Sequence, residues 1–210
     1  MSRPTPKHRA SSQERIARIL QATRLLLDQQ GLADLSIYAI AEQAEIPPSS
    51  VYHFFPQTGD VLSALAQQVF AELDAVLQLP VTPAPVSWMA LVAELEQRFQ
   101  DYYQSNAAAR ELLLGAHELS AVRQADRLHD RQLGLRFRGC LEAFFQLPPL
   151  PHEVDIFTLA MQAADKLLAV DYQQHGQLTP VLCREATRMM TAYLGLYLPP
   201  LLTPADKELV

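Results

Sequence analysis

The sequence predicts an all-α protein of about nine helices, and three observations support this fold class. Apolar residues recur at intervals of three and four along most of the chain, whereas no segment shows the period-two alternation of a strand. Glycines number only 7, and β-branched residues rarely occur in runs, which favours helices. About half of the 210 residues are hydrophobic, which is ample for a packed core.

The first element is a helix that ends at a glycine. Residues 1–10 are polar, charged and contain two prolines, so we expect a flexible basic arm. Ser11 and Glu14 have the spacing of a capping box at the start of a helix. The apolar pattern continues to about Gln30, and Gly31 suits the position just beyond the helix end.

Two short helices joined by a tight turn follow. Ser36 is a suitable N-cap for the second helix. This helix has to end by Glu45, because Pro47 and Pro48 disfavour helical backbone in the residues before them. Pro48 can occupy the first position of a third helix that runs to Phe54. The layout is that of a helix-turn-helix, whose second helix enters the major groove of DNA.

Six further helical segments complete the chain. Prolines and capping residues separate them, so each boundary rests on a local signal. We expect helices over residues 58–79 (capped by Thr58), 87–106, 107–115, 120–147, 151–175 and 179–198, followed by a loose tail over 199–210.

The charge is unevenly distributed. The net charge of -6 argues against a generally basic nucleic-acid coat. Residues 1–24 nevertheless carry six basic side chains against one acid, and the next 73 residues, 25–97, contain no Lys or Arg. The N-terminal end is therefore the one expected to meet phosphate.

The segment from Ile37 to Leu62 resembles the TetR/AcrR family of transcriptional regulators. The likeness covers roughly residues 12–63 and rests on order, spacing and distance from the N-terminus. The residues that carry it are Ile37, Ile40, Ala41, Ala44 and Ile46, then the run Ser50-Val51-Tyr52-His53-Phe54-Phe55-Pro56, then Val61 and Leu62.

The resemblance implies a homodimer that binds double-stranded DNA and a small-molecule effector. It implies a helix-turn-helix DNA-binding domain over residues 11–57 and a ligand-binding and dimerisation domain over 58–198, in which 58–79 is the connecting helix. Carried onto this sequence, the DNA-facing positions are Ser36, Tyr38, Pro48, Ser49, Ser50, Tyr52, His53 and Thr58.

The sequence departs from the family pattern at three positions. Glu45 replaces the usual glycine of the turn, Pro47 replaces a capping Ser or Thr, and Thr58 replaces a lysine. The last change removes a common phosphate partner. Much of the charge for DNA binding is therefore expected from the arm, including Arg9, with Arg15 or Arg18 as further candidates.

The effector half offers candidate ligand contacts but no motif. Large apolar residues at helical spacing favour ordinary core packing, although such residues also line pockets between helices. Three polar residues, His117, Cys140 and Asp165, lie in largely apolar stretches and are candidate anchors for a ligand. The candidate ligand-binding residues are Trp88, Phe99, Tyr103, His117, Cys140, Phe144, Met161 and Asp165.

Two other groups of residues are better explained by structural roles than by a metal site or a disulfide. Asp126, His129 and Asp130 share one helix face and could hold a metal, but the arginines between them favour a solvated, salt-bridged surface. Cys140 and Cys183 are too isolated for a disulfide framework or a metal motif, which favours buried thiols in a reducing compartment.

The last two helices are predicted to form an interface between subunits. The first carries a stripe of small and apolar residues that lets helices approach closely, and the second carries a stripe wider than one partner helix requires; burial within one chain is the alternative. The stripes are Leu159, Ala160, Ala163, Ala164, Leu167 and Val170, then Leu182, Ala186, Met189, Met190, Tyr193, Leu194 and Tyr197.

The sequence as a whole predicts a cytoplasmic, ligand-responsive DNA-binding regulator that represses transcription as a homodimer. We expect no enzyme activity, cofactor or metal, because the sequence has no phosphate-binding loop and no set of residues with metal-ligand spacing. We expect no membrane contact, because no apolar run reaches about 18 residues. The alternative is a helical dimer that binds a small molecule or a protein and has weak or lost DNA binding.

The basic arm gives a first prediction. Deleting residues 1–10 should weaken DNA binding and flatten the salt dependence of the binding constant, because Arg3, Lys7 and Arg9 would no longer displace counterions. Binding measured over a series of salt concentrations tests this. An unchanged affinity and an unchanged slope would show that the arm does not contact DNA.

Overall fold

The computed structural model describes the backbone of residues 6–115 and 120–205, and the side chains of residues 12–115 and 129–205. Within these ranges the chain forms nine α-helices and one π-helical turn, Arg110–Leu114, called here the π segment. The helices are α1 Pro6–Gln30, α2 Ile37–Gln43, α3 Pro48–Phe54, α4 Thr58–Gln78, α5 Trp88–Ser105, α6 Ala107–Ala109, α7 Ser120–Glu142, α8 Ile156–His175 and α9 Pro180–Leu194. The all-α prediction is confirmed for the described residues.

Helices α1, α2 and α3 pack around a small apolar core, and this group is called the head. Ile19, Ile40 and Val51, one from each helix, are completely buried in it. The Ser36 Oγ accepts a hydrogen bond of 3.1 Å from the Ala39 amide, which fixes the start of α2 as expected. Pro48 stands at the first turn of α3, where its missing N–H costs little.

Helix α4 connects the head to the other helices. Eight of its side chains are buried, and it packs against α1, α5 and α7. Its N-cap is Gln57, whose backbone amide donates a hydrogen bond to Asp60 Oδ2 at 3.0 Å. The expectation that Thr58 caps this helix is therefore wrong, because Thr58 is already its first helical residue.

The remaining helices form a bundle beyond α4. Helices α8 and α9 pack along each other, α7 lies between α4 and α8, and α5 packs on α4 and α9. Helix α7 approaches the first turn of α8 at Gly134. A Cβ built there would stand 2.2 Å from Thr158 Oγ1 and 2.8 Å from the Thr158 amide nitrogen. This close approach requires glycine.

Several predicted boundaries are displaced. Helix α1 begins at Pro6 rather than Ser11, α7 ends at Glu142 rather than Leu147, and α9 ends at Leu194 rather than Leu198. Helix α8 begins at Ile156, because the Asp155 carboxylate accepts from the Thr158 amide at 3.1 Å and caps it there. Phe145 and Leu198, which extended the predicted helices, are instead buried by tertiary packing in non-helical backbone.

Residues 199–205 are not loose, contrary to expectation. The Gln146 amide donates to Thr203 O at 2.8 Å, and the Ala205 amide donates to Phe144 O at 2.9 Å. The Trp88 indole donates to Pro199 O at 2.9 Å. The segment after α9 is thereby held against α5 and the end of α7. Residues 206–210 lie outside the described part of the chain.

No helix among the described residues combines the length and the apolar character that crossing a bilayer requires.

The close approach at Gly134 gives a second prediction. Gly134→Ala should lower the free energy of unfolding by about 1–3 kcal/mol, because the new methyl group displaces Thr158 from the cap of α8. Gly139→Ala is the matched control on the same helix. Its Cβ meets nothing within 4 Å, so it should stabilise by about 0.5–1 kcal/mol. Denaturant unfolding measures both; equal effects would contradict the packing described.

Candidate nucleic-acid interface and internal cavity

An exposed aromatic pair stands on the face of α2 and α3 that is turned away from the head's core. The rings of Tyr38 and Tyr52 meet edge to face, with centroids 6.3 Å apart and planes at 79°. Tyr38 is 66% exposed and Tyr52 is 43% exposed. A pair of large aromatic side chains held open to solvent on a rigid support is suited to contacting a partner.

Most of the predicted DNA-facing residues surround this pair. Ser36, Ser49 and His53 are exposed, whereas Pro48 and Ser50 are half-buried. The His53 ring stands against Phe54 with centroids 5.0 Å apart, which supports its orientation. We call this group the head ridge; its members are Ser36, Tyr38, Pro48, Ser49, Ser50, Tyr52 and His53.

The turn between α2 and α3 uses a strained residue. Glu45 has a φ of 53°, in the left-handed region that side-chain-bearing residues seldom adopt. The Arg18 guanidinium bonds the carbonyl oxygens of Ala44, at 2.5 Å, and Glu45, at 3.3 Å. Arg18 thus caps the end of α2 from α1 and stabilises the turn without a glycine.

Two of the basic residues near the N-terminus have structural roles. Arg18 holds the turn, and Arg24 Nη2 pairs with Glu72 Oε1 of α4 at 2.7 Å. Arg15 is exposed on α1. The side chain of Arg9 lies outside the described part of the chain. Because Glu72 neutralises Arg24, the positive charge available to a nucleic acid is smaller than the sequence count suggests.

Thr58 lies at the start of α4, four residues after the end of α3. Its side chain is half-buried, and the exposed carboxylate of Asp60 lies in the same helical turn. A carboxylate at a helix N-terminus satisfies the local amides, but it repels phosphate. The first turn of α4 is therefore a weaker anion site than the sequence suggested.

A cavity opens between α5, the π segment, α7 and α8. Its volume is about 190 Å³, and we call it the bundle cavity. Its lining residues are Tyr103, Leu113, Leu114, Asp130, Gln162, Asp165, Lys166 and Ala169. A smaller space of about 10 Å³, the inner niche, shares two of these walls. The niche is lined by Leu73, Glu96, Phe99, Tyr103, Leu133, Met161 and Asp165.

The structure brings four of the predicted ligand-binding residues together. Tyr103 and Asp165 line both spaces, and Phe99 and Met161 line the niche. Their role as ligand contacts stays a prediction. His117 lies outside the described part of the chain.

The other three candidates lie elsewhere, in the packed structure. Trp88 is buried and bonds Pro199. The Cys140 thiol lies 3.6 Å from Leu77 O, and burial raises its pKa. Phe144 is half-buried next to the segment that pairs with residues 203–205. None of the three is among the residues that line the bundle cavity or the niche.

Sequence reasoning missed the acidic residue deepest in this region. Glu96 is only 4% exposed, and its burial raises its pKa to about 7, against the smaller opposing effect of its hydrogen bond with Gln100. A signal was available, because Glu96 continues the buried series of Val92, Phe99 and Tyr103 at helical spacing. A carboxylate at such a position is uncommon in an ordinary core.

The expectation of a solvated face around His129 is wrong. His129 is buried, and its ring stacks on Phe70 of α4 with centroids 4.3 Å apart. Its Nε2 lies 3.7 Å from Asp74 Oδ1, which also pairs with Arg136 Nε at 2.9 Å. Burial lowers the pKa of His129, although Asp74 opposes the shift. The residue therefore joins α7 to α4.

Metal binding finds no support in the described residues. No group of three or more His, Cys, Asp or Glu side chains within them has a metal-binding arrangement. The side chain of Asp126, part of the possible metal set, lies outside the described range. Asp130 accepts a hydrogen bond from Gln162 Nε2 at 2.8 Å instead.

Residues 19–65 match the family described as bacterial regulatory proteins, tetR family. This range contains α2, α3 and the whole head ridge. This segment of the chain is similar to the TetR family. The resemblance seen in the sequence is thus confirmed. No curated protein matches the chain.

Solved structures of TetR regulators share the fold over most of the chain. A TetR-family transcriptional regulator from Streptomyces coelicolor has 22% identity and a TM-score of 0.68, covering 88% of this chain and 99% of its own. A TetR transcription regulator from Haloarcula marismortui has 16% identity and a TM-score of 0.66, covering 89% and 99%. The multidrug binding protein EbrR, complexed with ethidium, has 20% identity and a TM-score of 0.63, covering 86% and 98%.

The turn between α2 and α3 gives a third prediction. Glu45→Gly should raise the free energy of unfolding by about 1 kcal/mol, because glycine adopts positive φ without steric cost. Glu45→Ala keeps the Cβ and removes only the carboxylate, so it should not stabilise the protein. Thermal or denaturant unfolding compares the two variants, and equal stability of both would show that the turn is unstrained.

Proposed function

We propose that the chain is a ligand-responsive transcriptional repressor that binds a pseudo-palindromic DNA site as a homodimer. The observation that carries the proposal is the head ridge, which lies within the segment that matches the TetR family. The DNA-binding domain, residues 11–57, would bind DNA, and residues 58–198 would bind the effector and the second subunit.

The chemistry of the head ridge suits DNA. Serine and tyrosine hydroxyls bind phosphate oxygens, and a histidine on α3 can reach base edges in the major groove. The Tyr38–Tyr52 contact holds two such hydroxyl-bearing side chains side by side. With Arg18 and Arg24 engaged within the protein, this ridge would bind mainly through neutral hydrogen-bonding groups.

Exposed apolar residues on α8 and α9 support a dimer. Leu159 and Met189 are 44% and 46% exposed, although Ala160, Ala164, Ala186 and Met190 of the same predicted stripes are buried within the chain. The stripes therefore serve two purposes: one side joins α8 to α9, and the other remains available to a second subunit. A two-fold axis there would place two heads on successive major grooves, roughly 34–36 Å apart.

Contacts between the head and the bundle support regulation by a ligand. Glu111 Oε1 of the π segment accepts from the Leu32 amide at the end of α1, at 3.1 Å. Its Oε2 accepts from the Tyr172 hydroxyl of α8 at 2.8 Å. Leu113 and Leu114 of the same segment line the bundle cavity. A ligand that prefers one arrangement of this segment would bias the position of the head.

A binding module with weak DNA affinity is the second candidate. Its support is the acidic character of residues 25–97 together with the internal pairing of Arg18 and Arg24. A protein of that class would keep the cavity and the dimer but would not select a DNA sequence.

DNA binding gives the fourth prediction. His53→Ala should weaken binding to a sequence selected from a random DNA pool by about tenfold or more, because one base-reading contact contributes about 1–3 kcal/mol. A mobility shift at fixed salt measures the effect. His152→Ala is the matched control, since His152 is also exposed but lies in the loop before α8.

Two outcomes would contradict the proposal. Equal binding by His53→Ala and His152→Ala would show that α3 does not read DNA. Failure of the selection to enrich any sequence would favour the binding module. A half-site should bind more weakly than the full pseudo-palindrome if the dimer is the binding species.

A further inference from the structure

The bundle cavity and its niche are acidic at their centre. Three carboxyl side chains from three helices line them: Glu96 of α5, Asp130 of α7 and Asp165 of α8. Among the lining residues whose side chains the structure describes, the basic one is Lys166, which is exposed. The deepest wall therefore carries negative charge, and the positive charge stands at the open side.

Burial of the Glu96 carboxyl group lowers the stability of the folded protein. Isolated buried carboxylates are expensive in free energy, and proteins normally provide a cationic partner. None of the ion pairs among the described residues involves Glu96; its polar neighbour is the Gln100 side chain, which also bonds Cys183 O and Thr187 Oγ1 on α9. The pKa of about 7 that burial gives Glu96 means that it exists in both forms at neutral pH.

The other walls suit the apolar part of an organic ligand. The niche beside Glu96, at about 10 Å³, has room for an ammonium group but not for a ring. The apolar part would lie in the cavity, against Leu113, Leu114 and Ala169, and Tyr103 lines both spaces. Aromatic faces attract cations, particularly where water is excluded. An anionic ligand would be repelled by the three carboxylates, and a neutral one would leave the charge of Glu96 uncompensated.

We infer that the bundle cavity takes a small organic cation, an ammonium carrying one ring or a short apolar chain, with its charge directed to Glu96 and Asp165. The volume of about 190 Å³ is below the ~300–1,000 Å³ of drug-sized sites, so the ligand is small. Calling this ligand the effector rests on the proposed function; its binding does not.

Three probes that differ in charge test the inference on the full-length protein. These are 2-phenylethylammonium, 2-phenylethanol and 3-phenylpropanoate, titrated by calorimetry at pH 8. The ammonium should bind at least tenfold more tightly than the alcohol, and the carboxylate should bind most weakly. Equal or tighter binding of the alcohol or carboxylate, or binding of none of the three, would overturn the inference.

The pH dependence has a defined sign. A cation prefers ionised Glu96, and this form is largely lost when the pH falls from 8 to 6 through a pKa of about 7. Binding of the ammonium should therefore weaken roughly tenfold, whereas binding of the alcohol should not. Within residues 12–115 and 129–205, the titratable groups that face this site are Glu96, Tyr103, Asp130, Asp165, Lys166 and, from α9, Cys183. An affinity for the ammonium that does not change with pH would contradict the role of Glu96.

Two variants and a control locate the charge. Glu96→Gln and Asp165→Asn should each reduce the preference for the ammonium over the alcohol by tenfold, with the fold checked by circular dichroism. Glu153→Gln removes the same charge from the exposed loop before α8 and should leave the preference unchanged. If both cavity variants keep the full preference, the site is elsewhere and the inference falls.

An experiment on release of DNA by the three probes distinguishes failure of the cation site from failure of the repressor proposal. Ammonium binding by a protein that selects no DNA sequence would support the cation site and overturn the repressor proposal. Release of selected DNA by the alcohol or the carboxylate, but not by the ammonium, would support the repressor proposal and overturn the cation site.

Discussion

Burial of helix α4 on several sides is the constraint on which the rest of the structure depends. Its apolar residues face the head at one end and the bundle along its length, so one helix belongs to two packing environments. The Arg24–Glu72 pair fixes it to α1, and Tyr102 reaches the same carboxylate from α5 at 2.6 Å. The stacked Phe70–His129 pair fixes it to α7. Movement of α4 therefore changes polar as well as apolar contacts.

The head shows how tertiary contacts can replace sequence features that are usual in the TetR family, which residues 19–65 match. A glycine in the turn would be free of strain, but Glu45 adopts the same backbone region because Arg18 caps the carbonyls beside it. The Arg18 side chain stays exposed and keeps its charge, but its guanidinium is held at the turn. The ridge then relies on hydroxyl groups and aromatic rings, of which Tyr38 and Tyr52 are the largest.

The fold could be predicted where local chemistry determines it, and the site only in part. Ser36 and Gly31 mark helix ends through their own backbone and side-chain geometry, so the sequence alone located them. The end of α7 depends on pairing with residues 203–205, which are distant in sequence. His129 and Glu96 were missed or misplaced for a similar reason, since only the packing of α4, α5 and α7 decides that these polar side chains are buried.

The hydrogen bond from Trp88 to Pro199 gives the protein an intrinsic optical probe. The chain contains one tryptophan, and its indole is buried at the start of α5 against the segment that leaves α9. Indole emission responds to polarity and to its hydrogen-bond acceptor. Tryptophan emission, excited selectively over that of the seven tyrosines, therefore reports on this single junction. Any rearrangement of the helices proposed to join two subunits would be recorded there, without a label.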